Sequence, residues 1–272
     1  MRLDRALSAR GLARSRTHAH RLIVDGAVRV RGVVVTKPAI HVGENTDITV
    51  VGNTHYVSRG ALKLDGALNR FSERGLEVRG RACLDAGAST GGFTQVLLER
   101  GATKVLAVDV GHEQLAVPLR HDARVVNREG VNVRELPPPD AHEAVDVLTA
   151  DLSFISLAMV IPALAPWLKP GGDALLMAKP QFEVGVEKLG KKGVVKRPGD
   201  RIDAVKSVAQ AMNDHDIAVI DVARSELSGP AGNVEFFIWG RRSWQAKPGD
   251  DLRPLDQEQI RRAIVREVKG DS

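Results

Sequence analysis

The 272-residue chain reads as an α/β protein, in which a small basic α+β module precedes a larger domain built on a mostly parallel seven-stranded sheet with an antiparallel hairpin at one edge. Three observations predict this. Near residue 80 the pattern changes from short amphipathic segments to apolar runs that alternate with helical segments. A glycine-rich turn, Gly87-Ala88-Ser89-Thr90-Gly91-Gly92, separates the first of those runs from the helix after it. The charge is also uneven: residues 1–60 hold ten Lys/Arg against four Asp/Glu, a balance of +6, while the whole chain carries +5. A basic head on a near-neutral body points to a polyanion-binding module joined to something else, because arginine-rich surfaces gain affinity by releasing phosphate counterions.

In the head, Leu3, Leu7 and Leu12 mark a first amphipathic helix that Gly11 stops. Ser15 is placed to cap a second helix, Ala19, Leu22 and Ile23 give it an apolar face, and Gly26 closes it. Val28-Arg29-Val30-Arg31 then alternates with strand period, and strands at 33–36 and 47–51 complete the unit. Arg14, Arg16 and Arg21 fall on or beside the second helix. Domain limits follow as 1–53, a linker at 54–60, and 61–272.

The larger domain opens with a helix over 61–71 (Leu64, Leu68, Phe71), in whose first turn Lys63 stands against the helix dipole. Strands are expected at 82–85, 104–110, 124–127, 145–151 and 173–179, with helices that include 90–100, 156–168 and 202–213. Two last strands, 217–223 and 234–240, have no helix between them and form the hairpin. The tail from Asp256, with Ile260, Ile264 and Val268, suggests a final helix.

In open parallel sheets ligands bind at the carboxyl ends of the strands. Asp85, Asp109 and Asp151 end three of them there, and Lys179 ends a fourth. The turn from Asp85 through Gly87, Ser89, Thr90, Gly91 and Gly92 to Phe93 lacks the G-x-G-x-x-G spacing, and its acid suits a positively charged methionine moiety better than a pyrophosphate. Asp109 is placed to accept hydrogen bonds from a ribose diol. Lys179 beside Asp151 is an amine that a carboxylate orients and desolvation activates. Glu235 is a carboxylate among apolar strand residues. The segment 184–200 is glycine-rich and basic, with Lys188, Lys191, Lys192, Lys196 and Arg197, and is expected to close over a substrate as a mobile flap.

These residues carry resemblances. The pattern Arg2-Leu3-Asp4, Leu7, Gly11-Leu12-Ala13 and Ser15-Arg16, followed by Leu22-Ile23, Gly26, Val28 and Val30, resembles an S4 RNA-binding domain. That implies that Arg5, Arg14, Arg16, Arg21 and Arg59 grip structured RNA through its backbone and shape, with Lys188 and Lys191 adding contacts from the flap. The sheet resembles the class I Rossmann-like methyltransferase fold, which implies S-adenosylmethionine as cofactor. Lys63, Asp151, Lys179 and Glu235, in this order, resemble the tetrad of RNA ribose 2′-O-methyltransferases, where a lysine positions a weakly nucleophilic hydroxyl and carboxylates hold it. The segments 57–60 (VSRG), 84–94 (LDAGASTGGFT), 150–157 (ADLSFISL), 179–185 (KPQFEVG) and 229–237 (GPAGNVEFF) together resemble the TlyA, or haemolysin A, family. This implies 2′-O-methylation of cytidine in ribosomal RNA of the large subunit, with the small subunit as a second target of longer members, and a link to capreomycin and viomycin susceptibility. At Thr54-His55-Tyr56-Val57 the chain departs from the Arg-Ala-Trp-Val of some long members, which puts linker control of cofactor binding in doubt.

Other classes fit less well. Adenine amine methylation uses an Asn/Asp-Pro-Pro-aromatic sequence, whereas Asp151-Leu152-Ser153-Phe154 has no proline, and the sole cysteine, Cys83, sits in a core strand rather than where a pyrimidine C5 nucleophile belongs. A lytic protein would need an apolar span and an export signal. The longest apolar run, 157–168, is broken by Pro162 and Pro166, and the first residues are charged, so a cytoplasmic protein is expected. A non-catalytic RNA-binding factor would have lost the glycine turn or the tetrad. Eight scattered histidines suggest no metal site.

Overall fold

A computed structural model describes residues 1–13, 15–24, 26–50, 55–140, 142–190, 192–229, 232–244 and 252–270, and the chain divides into the units Met1–Arg59 and Gly60–Ser272. In the first unit, α1 (Leu3–Ala9) and α2 (Arg16–Val24) pack on a sheet of β1 (Val28–Val30), β2 (Val33–Val34) and β3 (Ile48–Val50), ordered β2-β1-β3. Leu3, Ala6, Leu7, Ala19, Ile23, Val28 and Ile48 form its core. Gly11 ends α1 at φ 69° and Gly26 follows α2 at φ 71°. The Ser15 hydroxyl accepts from the His18 N–H at 3.1 Å and satisfies a first-turn donor of α2.

The second unit runs α3 (Gly60–Ser72), β4 (Ala82–Ala86), α4 (Gly92–Glu99), β5 (Lys104–Asp109), α5 (Val117–Arg120), β6 (Val125–Glu129), β7 (Val145–Ala150), α6 (Leu157–Leu164), β8 (Leu168–Ala178), α7 (Pro180–Glu183), α8 (Pro198–Asp214), β9 (Ile217–Arg224), β10 (Phe236–Arg242) and α9 (Gln257–Lys269). Its sheet is ordered β6-β5-β4-β7-β8-β10-β9, with only β10 running against the rest. The hairpin of β9 and β10 forms as expected, but β10 lies inside it, between β8 and β9. The long crossover through α8 sets β9 one strand space beyond β8, and β10 returns to fill the slot, gaining ladder hydrogen bonds on both edges. The helix expected over 156–168 stops at Leu164, and a single 3-10 turn with Pro166 in it leads into β8, which starts five residues earlier than expected.

Leu84, Leu148, Leu176 and Ile238 line the centre of the sheet under α6 and α8, and Ile260, Ile264 and Val268 bring α9 onto the same core. Asp256 caps α9 by a reciprocal capping box with Gln259. Cys83 lies mid-sheet, paired through β4 to Val105 and Val147, and burial pushes its thiol up to about 12. Among the described residues no helix is long and apolar enough to cross a membrane, and no group of three metal-ligating side chains is found.

Candidate active site

The strand ends of β4, β5, β7, β8 and β10 supply the charged residues. At the end of β4, Asp85 is fully buried, and its Oδ2 accepts from the Thr94 hydroxyl of α4 at 2.7 Å. Its Oδ1 is also buried and has no hydrogen-bond partner. Burial pushes this carboxyl up to about 7, and the charges of Asp151 and Asp109 push the same way. A half-partnered buried carboxylate lacks a cation, and the amino group of a bound S-adenosylmethionine is a cation of the right kind. The residues therefore fit that cofactor on this observation.

The turn beyond Asp85 is built for close approach. Gly87 has φ 85°, and a Cβ there would lie 2.6 Å from the Asp151 carbonyl oxygen. Gly91, at φ 93°, has a different reason for lacking a side chain, since a Cβ would meet Leu119 at 2.3 Å. Gly92 begins α4. The Phe93 ring is buried and stacks on Phe237 at 6.1 Å, so Phe93 offers a ligand only its backbone. Thr90 is buried, and Ser89, at φ 48°, turns its hydroxyl to Gln114 at 3.2 Å. The Asp109 oxygens accept from the Ser89 and Gly111 N–H groups at 2.8 and 2.7 Å, so this residue also folds the glycine turn against β5. The Gly87→Ala variant is expected to weaken cofactor binding at least tenfold by calorimetry, combining a disfavoured backbone conformation of about 1 kcal/mol with the clash. An unchanged dissociation constant would show that the turn has room to spare.

The four candidate catalytic residues form two ion pairs. Lys179 Nζ lies 2.5 Å from Asp151 Oδ1 and donates to Ser153 Oγ at 3.0 Å. Lys63 Nζ of α3 donates to Glu235 Oε2, and both side chains are buried. This carboxylate compensates the unfavourable position of Lys63 in the first turn of its helix. Ladder register brings the pairs side by side: Phe236 stands opposite Ala178, so Glu235 and Lys179 leave neighbouring strand ends, while Ala150, beside Leu176, delivers Asp151. Lys179 is thus held by one ion pair and one hydrogen bond, which leaves it capacity to donate to a substrate oxygen.

Several residues escaped sequence reasoning. Thr94 and Ser153 lie within the segments 84–94 and 150–157, but nothing in the sequence marks their hydroxyls as partners of Asp85 and Lys179. Glu129, a further acid at a strand end, accepts from the N–H groups of Glu113, Gln114 and Leu115 and shapes the loop after Asp109. The Leu115 bond, first among these, helps hold its carboxyl below the usual range. Glu183, just after the Lys179 strand end, accepts from Ser156 and from the Leu157 N–H at 2.7 Å each and so pins the amino end of α6. Between these anchors Phe154 stands 91% exposed at φ 65°, its ring 5.3 Å from that of Phe182. A bulky residue in the left-handed region carries strain of about 1–3 kcal/mol, and such residues gather at functional sites.

The expected RNA contacts divide. Arg5 and Arg59 are exposed. Arg16 is half-exposed and pairs with the buried Asp4 at 3.2 Å, an acid held well below the usual carboxylate range first by its hydrogen bond from Arg2. Lys188 is exposed and 3.4 Å from Asp200. Arg14, Lys191 and the Arg21 side chain lie outside the described residues. The segment expected to be a mobile flap is anchored at its middle: Val195 is buried, and Arg201 of α8 donates to its carbonyl at 2.8 Å.

Comparison with known proteins identifies the families that both parts of the chain resemble. The model of FtsJ-like methyltransferases matches residues 56–242, and that of the S4 domain matches residues 1–48. The chain is 50% identical over 242 residues to the 16S/23S rRNA (cytidine-2′-O)-methyltransferase TlyA of Mycobacterium tuberculosis, covering 88% of this chain and 89% of that one. It is 39% identical over 188 residues to the 23S rRNA (cytidine-2′-O)-methyltransferase TlyA of Campylobacter jejuni, covering 68% and 70%. A solved chain from Streptococcus thermophilus, described as a hemolysin, superposes with a TM-score of 0.74 at 34% identity, covering 99% of this chain and 96% of that one.

Proposed function

The chain belongs to the FtsJ-like methyltransferase family, in its TlyA branch, and we propose that it methylates the ribose 2′-oxygen of cytidine in ribosomal RNA with S-adenosylmethionine as donor. The target lies in the large subunit, with the small subunit as a second substrate, and loss of the modification changes susceptibility to capreomycin and viomycin. The observation that carries the reading is Lys179, a buried amine ion-paired to Asp151 and hydrogen-bonded to Ser153, next to a second buried lysine–carboxylate pair.

When bound, S-adenosylmethionine supplies an electrophilic methyl group on a sulfonium. Asp85, whose Oδ1 is buried without a partner, Asp109 and the turn from Gly87 to Gly92 would hold it. Lys179 Nζ donates to the ribose 2′-oxygen, aligns its lone pair and stabilises the negative charge that grows on it as its proton passes to water. Asp151 keeps the amine aimed, and Lys63 with Glu235 fixes the neighbouring edge of the site. Arg5, Arg16 and Arg59, with Arg14 and Arg21, hold the RNA by its phosphates.

Phe154 offers a face for the target base. Stacking of a base on an aromatic ring is worth about 1–3 kcal/mol, so Phe154→Ala is expected to lower kcat/KM by roughly 10- to 100-fold with the cofactor dissociation constant unchanged, and Phe154→Trp to retain activity. Full activity of the alanine variant would remove Phe154 from the site.

The deciding experiment is transfer of labelled methyl to separated ribosomal subunits and to naked rRNA lacking the modification, followed by mapping. A 2′-O-methylated cytidine supports the proposal and counts the targets. Methylation on a base, or no incorporation with cofactor bound, overturns it.

A further inference from the structure

Asn233, two residues before Glu235, reaches across to the basic segment. Its side chain is 5% exposed. Nδ2 donates to the Gly193 carbonyl at 3.0 Å, and Oδ1 accepts from the Val195 N–H at 3.3 Å. A side-chain amide that offers one donor and one acceptor to backbone groups two residues apart imitates a rung of a β ladder. The rung closes a tight turn in which the Gly190 N–H donates to Val194 and the Gly193 N–H donates to Gly190, at 3.0 and 2.8 Å. Lys192, Lys196 and Arg197 stand exposed around this fixed point.

On its other side Asn233 belongs to the wrapping of Glu235. Its carbonyl accepts from the Gly229 N–H at 2.8 Å, and the Glu235 carbonyl accepts from the Ser225 N–H at 2.9 Å. The fit leaves no slack: a Cβ on Gly229 would lie 2.1 Å from Glu235 Oε1. Glu235 Oε2 holds Lys63. The backbone that carries the exposed cations is thus tied, through one amide and two residues of chain, to a carboxylate of the site.

We propose that Asn233 is a positioning residue that registers the basic segment, gripping the RNA phosphate backbone through Lys192 and Lys196, against the Lys63–Glu235 pair. The proposal rests on the RNA 2′-O-methylation reading. An apolar side chain could pack against Val195 but would leave the Gly193 carbonyl and the Val195 N–H without this partner.

The test is a double-mutant cycle on the full-length protein with unmodified rRNA. Asn233→Ala is expected to lower kcat by roughly 10- to 100-fold, as a misplacement of about 1 Å does, while cofactor affinity and RNA affinity change less than about threefold. Lys192→Ala with Lys196→Ala is expected to weaken RNA binding, flatten its salt dependence and lower kcat by roughly tenfold. Combined with Asn233→Ala, the lysine changes should cost kcat at least about fivefold less than they do alone, a coupling well above the error of such cycles. Strictly additive effects, or an unchanged kcat in Asn233→Ala, overturn the proposal. Asn233→Asp, which keeps the acceptor for Val195 but sets a charged oxygen against the Gly193 carbonyl in place of the donor, repeats the test should the alanine variant fail to fold, and must show the same loss of kcat. Activity of the unaltered protein on a mapped cytidine tests the functional reading separately; RNA bound without methyl transfer overturns both.

Discussion

Exchange of Lys179 for methionine is expected to reduce kcat for methyl transfer by about three orders of magnitude, while cofactor binding stays within about twofold of the unaltered protein. Methionine fills a similar volume but removes the amine that donates to a substrate oxygen, so the 2′-hydroxyl loses both its alignment and the cation that stabilises its negative charge. The Asp151 side chain keeps 22% exposure to water, and the exposed Ser153 hydroxyl, which accepts from Lys179, can accept from water instead. Single-turnover methyl transfer on rRNA, with calorimetry for the cofactor, separates the two effects. Methyl transfer within tenfold of the original rate would remove Lys179 from the chemistry and leave Lys63 as the remaining buried amine to test.

Asp85→Asn should do two opposite things. Cofactor affinity is expected to fall about 100-fold, since a buried carboxylate facing an ammonium group loses its charge. Thermal stability without cofactor is expected to rise. Burial lifts the folded-state value of Asp85 to about 7 from its ordinary 3.8, so between those two values the folded protein binds a proton that the unfolded chain has released. Stability contributed by Asp85 therefore falls as pH rises from about 4 to about 7, by an amount on the order of a few kcal/mol, and then levels off. The melting-temperature gain of Asp85→Asn should be small near pH 4, grow across that window and hold constant above it. The original protein should also bind cofactor more tightly as pH rises through about 7, with the variant flat. A variant less stable at pH 8, or one that binds cofactor normally, would contradict this account of Asp85.

What the sequence discloses of this site is its strand ends. Asp85, Asp109, Asp151 and Lys179 each close an apolar run, so parallel-sheet geometry alone sends them to one edge. The helices of the first unit are equally readable, because Ser15, Gly11 and Gly26 act within a few residues of where they stand. What stays hidden is long-range. Thr94 meets Asp85, Ser153 meets Lys179 and Asn233 meets Gly193 only after the chain has folded, over separations of 9, 26 and 40 residues. The order of the last two strands is hidden for the same reason: a hairpin pattern says that β9 and β10 pair, but not that β10 also pairs with β8. Arg16 shows the converse limit. Its charge is plain in the sequence, yet the buried Asp4 that shares it is an acid in a helix's first turn that local pattern reads as solvated.

The placement of Cys83 makes the protein its own unfolding clock. The thiol is 1% exposed and held in its unreactive protonated form, in a strand hydrogen-bonded on both sides. Alkylating reagents can reach it only when the middle of the sheet opens, so the labelling rate at low reagent concentration follows the population of the opened state, and at high concentration the rate of opening itself. With a single native cysteine, mass spectrometry reads that rate without assignment of sites, and any cysteine introduced at the surface will react long before it.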